Sequence, residues 1–261
     1  MLNKILKGLA PLAALAGAVM VSGCDGVNIQ IGDEEGVPLA ELDMSGDAPT
    51  EIVLAGPDKV IVRDGSELDI DVTGDDEAVD ALRFSIDDGT LAITREKNSW
   101  KDKGTATVTV TLPEVNEVVL AGSGDIEIEK MTRRAEVTIA GSGRAKVAEL
   151  SAENFDMTIA GAGDFEAAGA VDRLDMTIAG SGRARMAGLK VERADISVAG
   201  SGDAEFSSDG KVEASIVGSG RVTVLGRADC TVSAVGSGKL NCKPARGGDD
   251  AGDAKGEETE E

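Results

Sequence analysis

Apolar and small polar residues alternate along this chain in seven short runs, each ending on a Gly-x-Gly tripeptide. Aligned on the first glycine, Leu120, Ile139, Ile159, Ile178, Val198, Ile216 and Ala234 stand two positions before it. Val118, Val137, Met157, Met176, Ile196, Ala214 and Val232 stand four before it. Between them lie Val119, Thr138, Thr158, Thr177, Ser197, Ser215 and Ser233. Alternation with period two, apolar in and small-polar out, predicts a half-buried strand. Thr and Ser on the outer side suit a β-ladder. Alternation resumes beyond the tripeptide. Ile126, Ala145, Phe165, Ala184, Ala204, Val222 and Leu240 form one inward row, and Ile128, Val147, Ala167, Met186, Phe206, Val224 and Cys242 the next. Each tripeptide therefore separates two strands. The small inward residues predict a thin core between sheets that lie close together.

The glycine pairs Gly122/Gly124, Gly141/Gly143, Gly161/Gly163, Gly180/Gly182, Gly200/Gly202, Gly218/Gly220 and Gly236/Gly238 mark the corners. A tight corner needs positive φ or close backbone approach, which a Cβ would block. These glycines are structural and are assigned no ligand. The corners recur every 18 to 20 residues. A fixed period of this length predicts an all-β, single-stranded β-solenoid in which each repeat buries its apolar face on its neighbours.

Charge fixes the coil length. The residue after each corner runs Asp125, Arg144, Asp164, Arg183, Asp203, Arg221, Lys239, and the outward residue two further on runs Glu127, Lys146, Glu166, Arg185, Glu205, Thr223, Asn241. One repeat per coil stacks opposite charges about 4.8 Å apart, worth a few tenths of a kcal/mol per exposed pair. Two repeats per coil would stack Asp on Asp. The prediction is one repeat per coil, about 19 residues per turn. A second row, Glu117, Glu136, Asp156, Asp175, Asp195 and Glu213, stacks like on like in either case. Arg134, Arg173, Arg193 and Lys211 stand two residues before four of these acids. They make the stripe a solvated, locally paired face; the sharper alternative is a weak divalent-cation ladder of carboxylate oxygens.

The ends differ from the repeats. Residues 1–23 carry Lys4 and Lys7, then an apolar stretch, and close on Val21-Ser22-Gly23 before Cys24. This reads as an export signal, and its ending resembles a bacterial lipobox, which implies lipidation of Cys24. The alternative is an ordinary signal peptide with a chance cysteine. Residues 24–48 read as a tether and 245–261 as a disordered acidic tail. The chain carries a formal charge of −22; removing two lysines with residues 1–23 gives 24 − 48 = −24. Such a polyanion does not seek nucleic acid through its net field. The other cysteines, Cys230 and Cys242, flank the last corner at inward positions and predict a disulfide in an exported compartment. Two buried free thiols are the alternative.

Residues 49–116 are less regular. Glu51-Ile52-Val53-Leu54-Ala55-Gly56 echoes Glu117-Val118-Val119-Leu120-Ala121-Gly122, with Pro57-Asp58 in place of the rest of the corner. Strands are predicted at 60–62, 68–72, 83–86, 90–94 and 105–112, with a helical turn over 75–82. This half reads as a modified opening of the solenoid that continues regularly over 117–244. Thr90-Leu91-Ala92-Ile93, Val108 to Leu112-Pro113 and the serial Gly-Ser-Gly corners resemble the bacterial head GIN domain family of auto-transporter adhesins. The resemblance covers about residues 46 to 243. It implies a right-handed β-superhelix without catalytic residues and suggests adhesion. No membrane-barrel segment follows the repeats, which departs from an auto-transporter arrangement.

The chain has no His and no Tyr, so Ser-His-Asp, Cys-His and His-metal sites within it are excluded. The tripeptides lack the third glycine of a dinucleotide fingerprint and the Gly-Lys of a phosphate loop. No catalytic residue, metal ligand or cofactor is assigned. Trp100, the single Trp, is expected to cover the end or edge of the solenoid, with stacking on a sugar ring as the sharper reading. The expectation is a non-enzymatic lipoprotein of the bacterial cell envelope, membrane-held through Cys24. It would bind a protein or glycan and face the periplasm or the outer-membrane surface. A periplasmic scaffold or signalling-associated module is the second reading. A carbohydrate-active enzyme using paired carboxylates is the third.

Overall fold

In a computed structural model, residues 36–96 and 104–243 are described. The first half comprises β1 (Glu51–Gly56), β2 (Lys59–Asp64), β3 (Asp69–Gly74), α1 (Asp76–Ala81), β4 (Leu82–Asp87), β5 (Thr90–Arg95) and β6 (Ala106–Leu112). The regular part begins with β7 (Glu117–Gly122), followed by the long strands β8 (Asp125–Gly141), β9 (Arg144–Gly161), β10 (Asp164–Gly180), β11 (Arg183–Gly200) and β12 (Asp203–Gly218). It closes with β13 (Arg221–Leu225), β14 (Asp229–Gly236) and β15 (Lys239–Lys243). Every neighbouring pair in the regular stack is parallel and aligned corner on corner, so that Gly122, Gly141, Gly161, Gly180, Gly200, Gly218 and Gly236 form one column. Asp125 lies beside Arg144, Arg144 beside Asp164, and Asp164 beside Arg183. One repeat is one coil, and the β-solenoid has coils about 19 residues apart.

The corner is held by backbone rather than side chains. The Ala162 N–H donates to the Gly141 carbonyl at 2.8 Å, and the Asp164 N–H donates to the Gly143 carbonyl at 3.0 Å. Of the two needs expected at a corner, positive φ and close backbone approach, each glycine of a pair is governed by a different one. The first ends a strand in the left-handed half of φ space; Gly161, for example, takes φ +124°, and a Cβ on it would press into the Gly141 carbonyl. The second glycines, Gly124, Gly143, Gly163, Gly182, Gly202, Gly220 and Gly238, have no positive φ. They lie between the strands and are required only for space. A Cβ on Gly124 would strike the Asp58 carbonyl, and one on Gly143 the Gly124 carbonyl. At Gly163, Gly182, Gly202, Gly220 and Gly238 it would strike a γ-carbon of Ile139, Ile159, Ile178, Val198 and Ile216 in turn. The physical reason is that the inward side chain of the previous coil fills the room beneath the second glycine. The two positions thus serve different needs: backbone conformation at the first, close coil-to-coil packing at the second.

The alternation on either side of each corner predicts two strands per repeat. The structure joins the strand after one corner to the strand before the next, so β8 to β12 each run 16 to 18 residues. The rear of the coil bends at register shifts near Arg133 and Ala168 instead of at a turn. Arg133 (φ 65°) and Gly169 (φ 135°) absorb the bend, as bulges do. This rear path adds inward residues that the alternation around the corners does not reveal, among them Met131, Leu150 and Leu189, all buried. Phe155 and Phe165 fill the wider part of the core with ring centroids 5.6 Å apart.

The first half departs from chain order. β1 lies between β5 and β7, and β2 lies between β6 and β8. The coil made by β1 and β2 comes first in the chain but second in the stack. The chain leaves it, builds β3, α1 and β4 at the end, lays down β5 and β6 beneath it, then crosses back to place β7 above it. β3 and β4 pair antiparallel to β6 and β5. They break the parallel ladder and protect its edge. The helical turn expected over 75–82 is α1.

Part of the expected tether is attached. Val37 and Phe84 exchange backbone hydrogen bonds of 2.8 Å in each direction, and Leu39 and Leu42 pack against the core. A Gly- and acid-rich composition hides these few apolar anchors. Cys24, Trp100 and the acidic tail 245–261 lie outside the described residues.

Candidate binding face

Each coil exposes two sheet faces. On the face after the corner, charges cancel between coils. Arg144 reaches Asp125 (3.8 Å), Arg183 reaches Asp164 (3.5 Å), Arg185 reaches Glu166 (3.4 Å) and Arg221 reaches Asp203 (3.7 Å). These are exposed pairs, each worth at most about 1 kcal/mol. They leave a face with little net charge of its own.

The face before the corner is built differently. Its outward rows are carboxylates, then Thr or Ser, then mostly Ala next to the corner column. The carboxylate row is continuous: Glu51 beside Glu117, Glu117 beside Glu136, Glu136 beside Asp156, Asp156 beside Asp175, Asp175 beside Asp195, and Asp195 beside Glu213. Glu51 belongs to this row, though the sequence period misses it because β1 sits out of chain order. The signal is present in the echo of 51–56 by 117–122.

Compensation along the row is uneven. Towards the C-terminal end, the Arg173 guanidinium donates to Asp175 (2.8 Å) and to Asp195 (2.6 Å) on the next coil. Lys211 meets Glu213 at 2.5 Å, an arrangement that lowers the Glu213 pKa and raises that of Lys211. The local neutralisation expected from sequence is therefore real for Asp175, Asp195 and Glu213. Towards the N-terminal end, Val115 rather than a cation stands two residues before Glu117. Desolvation, then the charges of Glu51 and Glu136, push the Glu117 carboxyl up to about 7. Glu136 and Asp156 are raised as well, again first by burial and then by neighbouring acids. Arg134 and Arg173 temper the rise at Asp156. Thr90 donates to Glu51 at 2.7 Å.

Among the described residues, no group of three or more His, Cys, Asp or Glu side chains converges on a metal position. In-register stacking explains this: each coil contributes one carboxylate, and β-sheet spacing keeps it in line with its neighbours instead of folding several around a point. A small crevice of about 80 Å³ lies between Val62, Leu112, Pro113, Val115 and Thr132. It has room for only a few water-sized groups.

The two cysteines predicted to pair form a disulfide, with Cα atoms 6.7 Å apart. It ties β14 to β15 across the core of the last coil.

Residues 48–228 match the family described as "Putative auto-transporter adhesin, head GIN domain". Among solved structures, a putative lipid binding protein from Parabacteroides distasonis is similar, at 25% identity and a TM-score of 0.58, covering 75% of this chain and 92% of that one. A putative adhesin from Bacteroides fragilis aligns with a TM-score of 0.67 at 19% identity, covering 76% of this chain and 93% of that one. Another, from Parabacteroides merdae, aligns with a TM-score of 0.57 at 18% identity over 77% of this chain and 93% of that one. No curated protein matches the chain significantly.

Proposed function

Starting from the chain's membership of the head GIN domain family, we propose that it is a non-enzymatic binding module of the bacterial cell envelope, held to a membrane through a lipid on Cys24. Its contact surface is the face before the corner, with the rows of Glu51 to Glu213 and Thr138 to Ser233. One observation carries this reading: one face of the solenoid cancels its charges internally, whereas the other leaves Glu117, Glu136 and Asp156 with raised pKa values. An extended protein or glycan laid along such a face meets the same groups at each coil. A carboxylate that is partly buried and repelled by neighbouring acids is relieved by a cationic or hydrogen-bonding partner.

The lipid binding named for the Parabacteroides distasonis structure gains no support from the interior of this chain. The core rows are filled by buried side chains, and the described crevice is too small for an acyl chain.

The test combines anchoring and exposure. The protein should fractionate with membranes, and Cys24→Ala should release it. Protease added to intact cells should cleave the native protein if it binds external surfaces. Full protection in intact cells, with cleavage only after lysis, would move its partner to the periplasm and reject external adhesion.

A further inference from the structure

The two ends of the solenoid are not alike. At the N-terminal end, β3, β4 and α1 cover the stack. At the C-terminal end nothing among the described residues does so: β14 pairs only with β12, and β15 only with β13. Inward residues that are sealed in earlier coils lie open here. Ile196 and Ala214 are 3% and 5% exposed, and their equivalent Val232 is 48% exposed. Leu240 is only partly covered. Residues 244–261 include seven acids and no Val, Leu, Ile, Met or Phe, so this segment offers no large aliphatic side chain to seal an apolar end. The Cys230–Cys242 disulfide fixes both edge strands in place without a cap.

We propose that a second copy of this chain covers this end, giving a tail-to-tail dimer in which β14 of each copy pairs antiparallel with β15 of the other. The register follows from the disulfide. Within one copy, residues 230 and 242 face each other across the core. A two-fold axis running along the strands preserves position along them. It therefore sets Cys230 opposite the partner's Cys242, Val232 opposite the partner's Leu240, and Ser233 opposite the partner's Lys239. Inward residues meet inward residues, and both open edges gain hydrogen bonds. The other two-fold would set lysine-bearing β15 against itself. The covered N-terminal ends stop growth at two copies, as an isologous contact requires.

On each edge residues 229–233 meet the partner's β15, five residues or roughly 16 Å of strand, so the interface is small and the pairing weak and reversible. Each chain carries a net charge of −22, so raising salt strengthens the pairing by screening repulsion. A dimer of this form holds the N-terminal ends of its two solenoids far apart. It would join two anchored surfaces, a consequence that rests on the lipid anchor proposed above; the pairing itself does not.

Sedimentation of the purified protein tests the pairing, and intact-cell proteolysis tests the adhesive reading separately. The expected result is a reversible dimer at micromolar concentration. Val232→Lys should weaken it at least tenfold, with an unchanged melting temperature at dilutions where both proteins are single chains, since that side chain is half exposed there. The double variant Ser233→Cys/Lys239→Cys should oxidise to a covalent dimer linked 233 to 239, and neither single variant should. A monomer up to about 100 μM, a dimer indifferent to Val232→Lys, or cross-linking by Ser233→Cys alone would each overturn the proposal.

Discussion

Asp58 and Arg95 form an ion pair sealed inside the N-terminal end of the solenoid, each side chain only 1% exposed. Arg95 Nε donates to Asp58 Oδ2 at 2.7 Å, and its Nη2 also donates to the Gly104 carbonyl at 2.9 Å. Asp58 Oδ1 accepts the Ala106 N–H at 2.8 Å. The Asp58 carbonyl accepts the Asp125 N–H at 3.0 Å. This one residue stands where other coils place the end of Gly-Ser-Gly, and it ties together three coils whose order in the stack differs from their order in the chain. Truncating one partner of a buried pair leaves the other charge stranded, at a cost of about 3–5 kcal/mol. Asp58→Ala should lose that much stability in urea unfolding. An unchanged midpoint would show that the pair is not structural.

The raised carboxyl of Glu117 makes stability depend on pH in an unusual direction for an acid. The folded protein holds this proton more tightly than the unfolded chain, whose ordinary value is 4.5. The stabilisation is present below pH 4.5 and is lost as pH rises towards about 7. Because the group is only half-buried, its share is roughly 1–2 kcal/mol once solvent screening is allowed for. Glu117→Gln should therefore raise the melting temperature by about 3–6 °C at pH 8 and leave it unchanged at pH 4. Equal effects at the two pH values would remove the carboxyl from the account.

The first and middle residues of a corner should respond differently. Gly161→Ala places a Cβ against the Gly141 carbonyl at a positive φ, and should destabilise by about 2–4 kcal/mol. Ser181, exposed in the middle of the next corner, should tolerate Ala within about 0.5 kcal/mol. Chemical denaturation of the two variants side by side measures the contrast.

That contrast shows how much is legible in the sequence. The glycine column, the inward rows beside it, one repeat per coil, and the Cys230–Cys242 pair all follow from a two-residue alternation read outward from the corners. Four things do not. The division of labour within a glycine pair is hidden, because a residue kept small for φ and one kept small for space, such as Gly180 and Gly182, look the same. The rear bend at Arg133 and Gly169 carries no turn signature, because a bulge needs only one displaced residue. The placement of β1 and β2 inside the stack is invisible to any reading that keeps chain order. The raised pKa values at Glu117 and Glu136 come first from burial and in part from Glu51, which joins their row only through that placement. The acidic row itself is visible; its split into a compensated and an uncompensated half is not, since Arg134, Arg173, Arg193 and Lys211 look equivalent in sequence.

Reducing the disulfide should loosen one end rather than the whole. Closing a loop of this length contributes about 3 kcal/mol, and in a stack each coil depends chiefly on its neighbours. After reduction, amide exchange should accelerate in β14 and β15 while β9 and β10 stay protected. Uniform acceleration through the stack would contradict coil-by-coil stability.

The proposed function places a macromolecular partner on the face before the corner. Photo-cross-linking in intact cells tests it most directly. A cross-linker is placed at Thr158 on that face in one strain, and at Lys146 on the opposite, charge-cancelled face in another. The expected result is a discrete adduct from Thr158 that disappears when Glu117, Glu136 and Asp156 become amides, and little or none from Lys146. Adducts of equal yield from both positions, or none from Thr158, would contradict it.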